Sequence, residues 1–247
     1  MNPVMKQMSK HVSVRKFKDE KIPKEKLHQI LEAAQWASTS QFIQAYSVIH
    51  ITDEARLNKI ANLANNTFIE NTGAFLIFCV DMNRLQMAAK KHDGYSHAEN
   101  TEAFILGVAD TAIFTQNVVL GLESEGYGIC YIGGIRNGIK EIGEYLELPD
   151  GVIPLFGLAI GVPDEQNESK PRLPLAGILH ENIYSDTNYE EVLEAYDQTM
   201  NTYYSARSTN QKDMTWTKAM SEVMGAPRRP QVDDYVKEKG FLTETKS

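Results

Sequence analysis

Eight consecutive residues, "AFLIFCVD" (74–81), are apolar up to their last position. A run of that length without alternation reads as a strand covered on both faces. "QAYSVIHITD" (44–53), rich in β-branched and aromatic residues, predicts a strand before it. "YGICYIGGI" (127–135) and "VIPLFGLAIGVP" (152–163) predict two more, with a helix, "IKEIGEYLEL", between them. Elsewhere the period is helical. "IPKEKLHQILEAAQWA" (22–37) sets Ile30, Leu31 and Ala34 on one face, and Pro23 suits an early helix position. "DEARLNKIANLAN" (53–65) is a second amphipathic helix that opens on an Asp cap. "AFILGVADTAIFTQNVVLGLESEG" (103–126) predicts a long helix, apolar nearly all round, of the kind buried in a large core or between subunits. "NRLQMAAKKHDGYSHAEN" (83–100) reads as a loop-rich excursion. From "NYEEVLEAYDQTMNTYYSAR" onward the chain is helical and polar, with too few apolar positions for a core of its own. One domain over 1–247 is expected, a core of 1–184 followed by a helical C-terminal arm of 185–247.

Composition narrows the partners. The chain has 247 residues, 42% hydrophobic and 23% charged, enough for one large core or two small ones and too apolar for disorder. Its net charge of -8 disfavours nucleic acid and anionic membrane surfaces, so any anion site must be a local cluster. The N-terminal "MNPVMKQMSKH" lacks an apolar signal region, and no apolar run is expected to span a bilayer. A cytoplasmic protein is expected. Cys79 and Cys130 lie in apolar runs without a CxxC partner and are expected as buried thiols, a redox role staying open. His92, Asp93, His97 and Glu99 read as solvated loop residues rather than metal ligands, and His28 and His50 as ordinary residues. There is no GxGxxG after a first strand, no GxxxxGK[ST] and no GxSxG. Dinucleotide-binding Rossmann, P-loop and α/β-hydrolase sites are thereby disfavoured.

Two local cation clusters remain. In "SKPRLP" (169–174), Pro171 and Pro174 hold Lys170 and Leu173 extended. Lys170 and Arg172, two apart in an extended chain, then point the same way. In "HVSVRKF" (11–17), His11, Ser13 and Arg15 fall on one side and Val12 and Val14 on the other. An imidazole, a hydroxyl and a guanidinium are donors suited to phosphate oxygens, and Arg15 and Arg172 can each bind one bidentately.

These segments carry a resemblance. "HVSVRKF", "STSQFIQ" (38–44), "YIGGIRN" (131–137) and "KPRLP" (170–174) follow one another in the order seen in the flavin-dependent nitroreductases. Within that family the chain resembles the larger NADPH-preferring nitroreductase and flavin reductase group, over nearly its whole length, including "YYSARSTNQKDMTW". The resemblance implies an α+β fold: a mixed sheet flanked by helices, a long buried central helix, and arms that embrace a partner. It implies a homodimer with FMN at the interface. His11, Ser13, Arg15 and Arg172 would hold the FMN phosphate and ribityl end. Lys170 and Arg15 would reach the flavin's pyrimidine edge. Ser40 and Gln44 would come from the other subunit. Tyr131, Ile132, Gly133 and Gly134 would lie along the ring, where glycines let a backbone approach closely. A β-bulge without ligand is the other reading of "YIGGI". Thr67 stands where many relatives carry Gln, and Val12 where many carry Arg. Arg207 and Lys212 would read the 2′-phosphate of NADPH.

The activity so implied is NADPH-dependent reduction of nitroaromatics, quinones or free flavin in a ping-pong cycle. The cofactor supplies the redox chemistry, so no catalytic acid–base residue is required. Two alternatives stay open: a dedicated flavin or disulfide reductase, and a flavin-binding module without turnover.

Overall fold

The computed structural model describes residues 1–207 and 212–243. They form two compact units, Met1–Asn167 with Arg229–Ser247, and Glu168–Arg228. The boundary expected at 184/185 falls inside the second unit, and the end of the expected arm belongs to the first.

The first unit opens with α1 (Pro3–Ser9), capped by Asn2, and α2 (Lys24–Ala34). Strand β1 (Tyr46–Ile51) leads to α3 (Glu54–Ala64), where Asp53 accepts from the Arg56 N–H as the cap the sequence promised. Strand β2 (Ala74–Asp81) is followed by α4 (Asn83–Lys90) and α5 (Thr101–Ser124). Then come β3 (Gly128–Ile132), a 3₁₀ turn Gly133–Gly138, α6 (Ile139–Tyr145) and β4 (Val152–Gly161). In the second unit lie α7 (Tyr189–Ala206) and α8 (Trp216–Met224); α9 (Gln231–Glu238) returns to the first. Helices α1 and α4 were not foreseen. Their apolar positions are too few to show a period, and no residue of either is buried.

The four strands pair in the order β1-β2-β4-β3, each pair antiparallel. The expected mixed sheet is thus antiparallel among its strands. Among the described residues a parallel pairing survives only in the isolated bridge between Ser13 and Ile129. A continuous apolar run reports burial on two faces, not strand direction. On β2, Phe75, Ile77 and Cys79 point into a cluster with Leu57 and Ile60 of α3 and Ile142 of α6. Leu76 and Phe78 point the other way, toward Leu27 and Ile30 of α2 and Phe114, Val118 and Leu122 of α5. Each such large side chain contributes about 1.5–3 kcal/mol when fully buried. Leu27 takes the inner place on α2 that was expected for Leu31, which is half-buried.

Between Phe78 and Cys79 the pairing with β4 slips by one residue. Pro154 stands opposite Cys79 and has no N–H to give the ladder, and the Arg136 guanidinium takes the carbonyl of the skipped Leu155.

Helix α5 meets the length and hydropathy of a membrane-crossing helix, so the expectation of no such segment fails on those measures. One face is nevertheless a core face, with Gly107, Asp110, Thr111, Phe114, Val118 and Leu122 buried. The other exposes Ile105 and Ile113.

A third cluster gathers Val80, Met82 and Ile153 with Tyr235, Val236 and Phe241 of the returning chain end. Tyr235 fits because residue 143 is glycine: a Cβ there would lie 1.8 Å from its hydroxyl. In the second unit Tyr196 and Met200 of α7 are buried, and Asp197 ties α7 to α8 by accepting from the N–H and hydroxyl of Thr217.

Candidate functional site

In the first unit, the segment 11–17 lies beside β3. The Val14 N–H donates to the Ile129 carbonyl (2.9 Å), and the Lys18 N–H to Val162 just past β4 (2.9 Å). Val14 is buried as expected; Val12 is half-buried. Ser13 is held by its carbonyl, which accepts from the Asn167 amide (3.0 Å). The Arg15 and Lys16 N–H groups donate to one oxygen of Glu165 (2.7 and 3.2 Å). Burial pulls the Glu165 pKa up, but these bonds, with that of Asn167, outweigh it and hold the carboxyl below its ordinary value. The backbone of the segment is therefore fixed, while the Arg15 guanidinium stays exposed and unpaired with any carboxylate among the described residues.

His11 is placed differently from the expectation of a free donor. Its Nδ1 lies 2.6 Å from a Glu123 oxygen. If Nδ1–H donates there, Nε2 becomes a donor only in the imidazolium form.

The turn after β3 carries the next group. Tyr131 is partly exposed and meets Phe156 edge-on, at 5.2 Å between centroids. Burial, then the Glu123 carboxylate, pushes its phenol up to about 12, so it remains protonated at neutral pH. Ile132 is buried. The β-bulge reading of this stretch does not hold: β3 ends at Ile132 and the 3₁₀ turn begins at Gly133. The two glycines also differ. A Cβ on Gly134 would strike the Asn66 amide (2.3 Å) and the Ala64 carbonyl (2.4 Å), so its smallness serves the protein's own packing. A Cβ on Gly133 would meet only the tip of Arg136, at 3.3 Å, which leaves Gly133 as the glycine available to a flat ligand. Thr67 is exposed at the start of the 3₁₀ turn Thr67–Asn71.

Ser40 and Gln44 sit on a loop of unusual backbone: Gln41, Phe42 and Gln44 have φ of 47°, 61° and 51°. Left-handed conformations are costly for side-chain-bearing residues and mark over-determined, often functional, segments.

In the second unit, Lys170 and Arg172 are both exposed and have no carboxylate partner among the described residues. The intervening Pro171 carbonyl accepts from the Tyr196 hydroxyl (2.9 Å), and the Lys170 ammonium lies 5.4 Å from the Tyr204 ring centroid. Burial raises the Tyr196 pKa, opposed by the charges of Arg172 and then Lys170, so both cations stand near one phenol. Arg207, at the end of α7, lies 5.7 Å from the Tyr203 ring centroid. Lys212 is exposed, and residues 208–211 between them lie outside the described chain.

The remaining candidates are quickly placed. Cys79 and Cys130 are buried and unpaired, as expected. Burial, then Asp81, pushes the Cys79 thiol up to about 12; burial raises Cys130 too, against the Arg15 charge. Neither is a thiolate at neutral pH. His50 has its pKa lowered by burial, then by His28 and Lys24. His97 pairs with Glu99 (3.2 Å), and no group of three metal-ligating side chains forms among the described residues.

The sequence reading missed Glu123, Glu165 and Asn167, whose partners are more than 100 positions away. It also missed Asp110. The signal for Asp110 was present, the one acidic residue in the apolar stretch between Glu102 and Glu123 of the helix.

Family models match both parts of the chain. The nitroreductase family model covers residues 8–162, and the model of the nitroreductase family C-terminal domain covers residues 170–244. The chain belongs to the nitroreductase family. Among its fellow nitroreductases is a CR(VI) reductase of Pseudomonas sp. (strain G-1), 48% identical over 94% of this chain and 96% of that one. Another is an FMN reductase (NADPH) of Bacillus subtilis (strain 168), 39% identical over 98% of this chain and 99% of its own. The solved structure of an NADPH:FMN oxidoreductase from Vibrio harveyi, complexed with NAD+, matches with a TM-score of 0.89 and 34% identity, covering 98% of this nitroreductase and 100% of that chain.

Proposed function

We propose that this nitroreductase is an NADPH-dependent FMN oxidoreductase that reduces small acceptors such as nitroaromatics, quinones or free flavin. The observation that carries the reading is the near full-length likeness to flavin reductases using NADPH. The donor set fits FMN: exposed Arg15, Lys170 and Arg172 lack carboxylate partners among the described residues, in a chain of net charge -8. A dianionic phosphate needs such donors. When bound, FMN would supply the hydride and electron-transfer chemistry between NADPH and an acceptor.

The chain's residues hold and tune. By the family resemblance, Arg15 and Arg172, with Ser13 and His11, would hold the phosphate and ribityl end. Lys170 would supply positive charge toward the pyrimidine edge, favouring the anionic reduced flavin. Tyr131, Ile132, Gly133 and Gly134 would lie along the ring, and Thr67 stands where many relatives carry a flavin-contacting Gln. Ser40 and Gln44 act on the flavin of a partner subunit, and Arg207 with Lys212 selects NADPH by its extra phosphate. The dimer belongs to the same proposal; the exposed apolar side chains Trp36, Phe42, Ile105 and Ile113 are surface that a partner subunit would cover. A cytoplasmic location belongs to the same proposal and is supported by the two unpaired thiols.

A second reading concerns the acceptor. The Pseudomonas relative's name points to Cr(VI) as a substrate of that protein, and an open flavin face would admit it here. Disulfide reduction through the protein's own thiols is disfavoured by the burial of both.

The test is direct. The purified protein should be yellow, and anaerobic NADPH should bleach it within seconds. Steady-state kinetics over a panel of quinone, nitroaromatic, free flavin and chromate then ranks the acceptors. A yellow protein that NADPH leaves oxidised would be a flavin-binding module and would overturn the proposal.

A further inference from the structure

Helix α5 carries a carboxylate where a core helix has least use for one. Asp110 is 1% exposed, and among the described ion pairs none involves it. A buried, unpaired carboxylate is costly unless hydrogen bonds satisfy it. All those described come from one stretch, residues 39–45. The Thr39 hydroxyl donates to Oδ2 (2.5 Å), the Ser40 N–H to Oδ1 (3.1 Å) and the Ala45 N–H to Oδ2 (3.1 Å). Thr39 also passes the constraint on, because its oxygen accepts from the Gln44 N–H (2.9 Å). From outside, the Arg84 guanidinium donates to the Gln44 carbonyl (3.2 Å).

Within that frame sit the left-handed residues Gln41, Phe42 and Gln44. None is glycine, so the conformation persists only because the surroundings impose it. A loop needed merely to connect α2 to β1 would not require a buried anion or three strained residues. The frame leaves other groups unspent: the Ser40 hydroxyl has no partner among the described residues, and the Gln44 amide reaches no further than the Phe42 carbonyl (3.4 Å).

We propose that Asp110 is the positioning residue of this loop, setting the Ser40 hydroxyl and the Gln44 amide in the geometry by which they meet FMN. The inference rests on the reading that Ser40 and Gln44 touch the flavin. Asp110 touches neither flavin nor substrate and acts through Thr39, Ser40 and Ala45. Asparagine is the informative replacement. It keeps the shape and one acceptor, but turns an N–H donor toward the Thr39 hydroxyl or a backbone N–H.

The experiment measures FMN dissociation constants by fluorescence titration of apo-protein, well below its melting temperature, and melting temperatures separately. Loss of the carboxylate's charge-assisted bonds should raise the FMN dissociation constant on the order of tenfold for Asp110→Asn. Thr39→Val should do the same and Thr39→Ser should restore affinity, since the hydroxyl alone relays the constraint. These two carry the test if Asp110→Asn does not fold. The double variant Ser40→Ala/Gln44→Ala should also weaken binding, and adding Asp110→Asn to it should weaken binding little more, because the three act as one unit. A lowered melting temperature with unchanged FMN affinity in Asp110→Asn and Thr39→Val would overturn the inference and leave Asp110 a purely structural anchor. Unchanged affinity in Ser40→Ala/Gln44→Ala would instead overturn the reading beneath it, that this loop meets flavin.

Discussion

Phe75, Phe78, Tyr235 and Phe241 of the first unit are at most 2% exposed, whereas Leu175, Ile178, Leu179, Ile183 and Tyr184 of the second are each 60% exposed or more. The first unit encloses a large core between helices and both faces of a sheet, while some of its apolar side chains, Trp36 and Phe42 among them, stay exposed. The second is ordered by helix–helix hydrogen bonds around Asp197 and by two buried residues of α7, Tyr196 and Met200. Stability in the first unit is therefore sensitive to volume and buried charge. In the second, the apolar side chains Leu175, Ile178, Leu179, Ile183 and Tyr184 are largely exposed, so their replacement should cost little.

The largest effect expected is alkaline. Cys79 is raised from an ordinary 9.0 to about 12. Between those values the unfolded chain has lost a proton that the folded chain keeps, so stability falls as pH rises. The contribution is fully present below pH 9 and is gone above 12, amounting to at most about 4 kcal/mol at 1.36 kcal/mol per unit. Urea unfolding from pH 8 to 11 should show this slope, and Cys79→Ala should flatten it. Next is Gly143→Ala, which drives a methyl into the Tyr235 ring. A loss of about 3 kcal/mol is expected from overpacking, read as a fall in urea midpoint. Tyr235→Phe should be neutral or stabilising, because the buried hydroxyl it removes has no partner among the described residues.

In the second unit, Arg172→Ala should leave the urea midpoint in place and raise the FMN dissociation constant roughly tenfold, the cost of one charge-assisted bond. Arg207→Ala should raise KM for NADPH severalfold and leave KM for NADH and flavin content unchanged. The smallest effect is expected of Leu179→Ser, within about 0.5 kcal/mol, as for other exposed positions. If Leu179→Ser costs as much as Gly143→Ala, the segment is covered in solution and the contrast between the units disappears.

Legibility followed the range of the interactions. Strand β2 was read to the residue, because two-sided burial writes itself into every position of a short run. The Asp53 cap and the ends of α3 are local and were legible too. The clusters around Arg15 and Arg172 were found as residue types at close spacing. What fixes them was not, because Glu165, Asn167 and Glu123 act across the chain. Gly134 shows the same limit: its need is set by Ala64 and Asn66, not by its neighbours. The mixed sheet was expected from the resemblance alone; the apolar runs carry no sign of strand direction, and the four described strands pair antiparallel. The change of polarity near 185 marks a more polar surface, whereas the compact units divide at 167/168 and 228/229.

The segment 11–17 also has a consequence for the order in which the protein is made. Its backbone partners are Ile129, Val162 and Glu165, the last 150 positions from Arg15. At a synthesis rate of about 5–20 residues per second, the first strand-like stretch waits roughly 8–30 seconds for the residues that pin it. The N-terminus therefore leaves the ribosome early and settles late. Closing so long a loop comes after the local helices, which places completion of the Arg15 cluster among the last folding events. The Arg15 backbone is thus unpinned until β4 and Glu165 have been made.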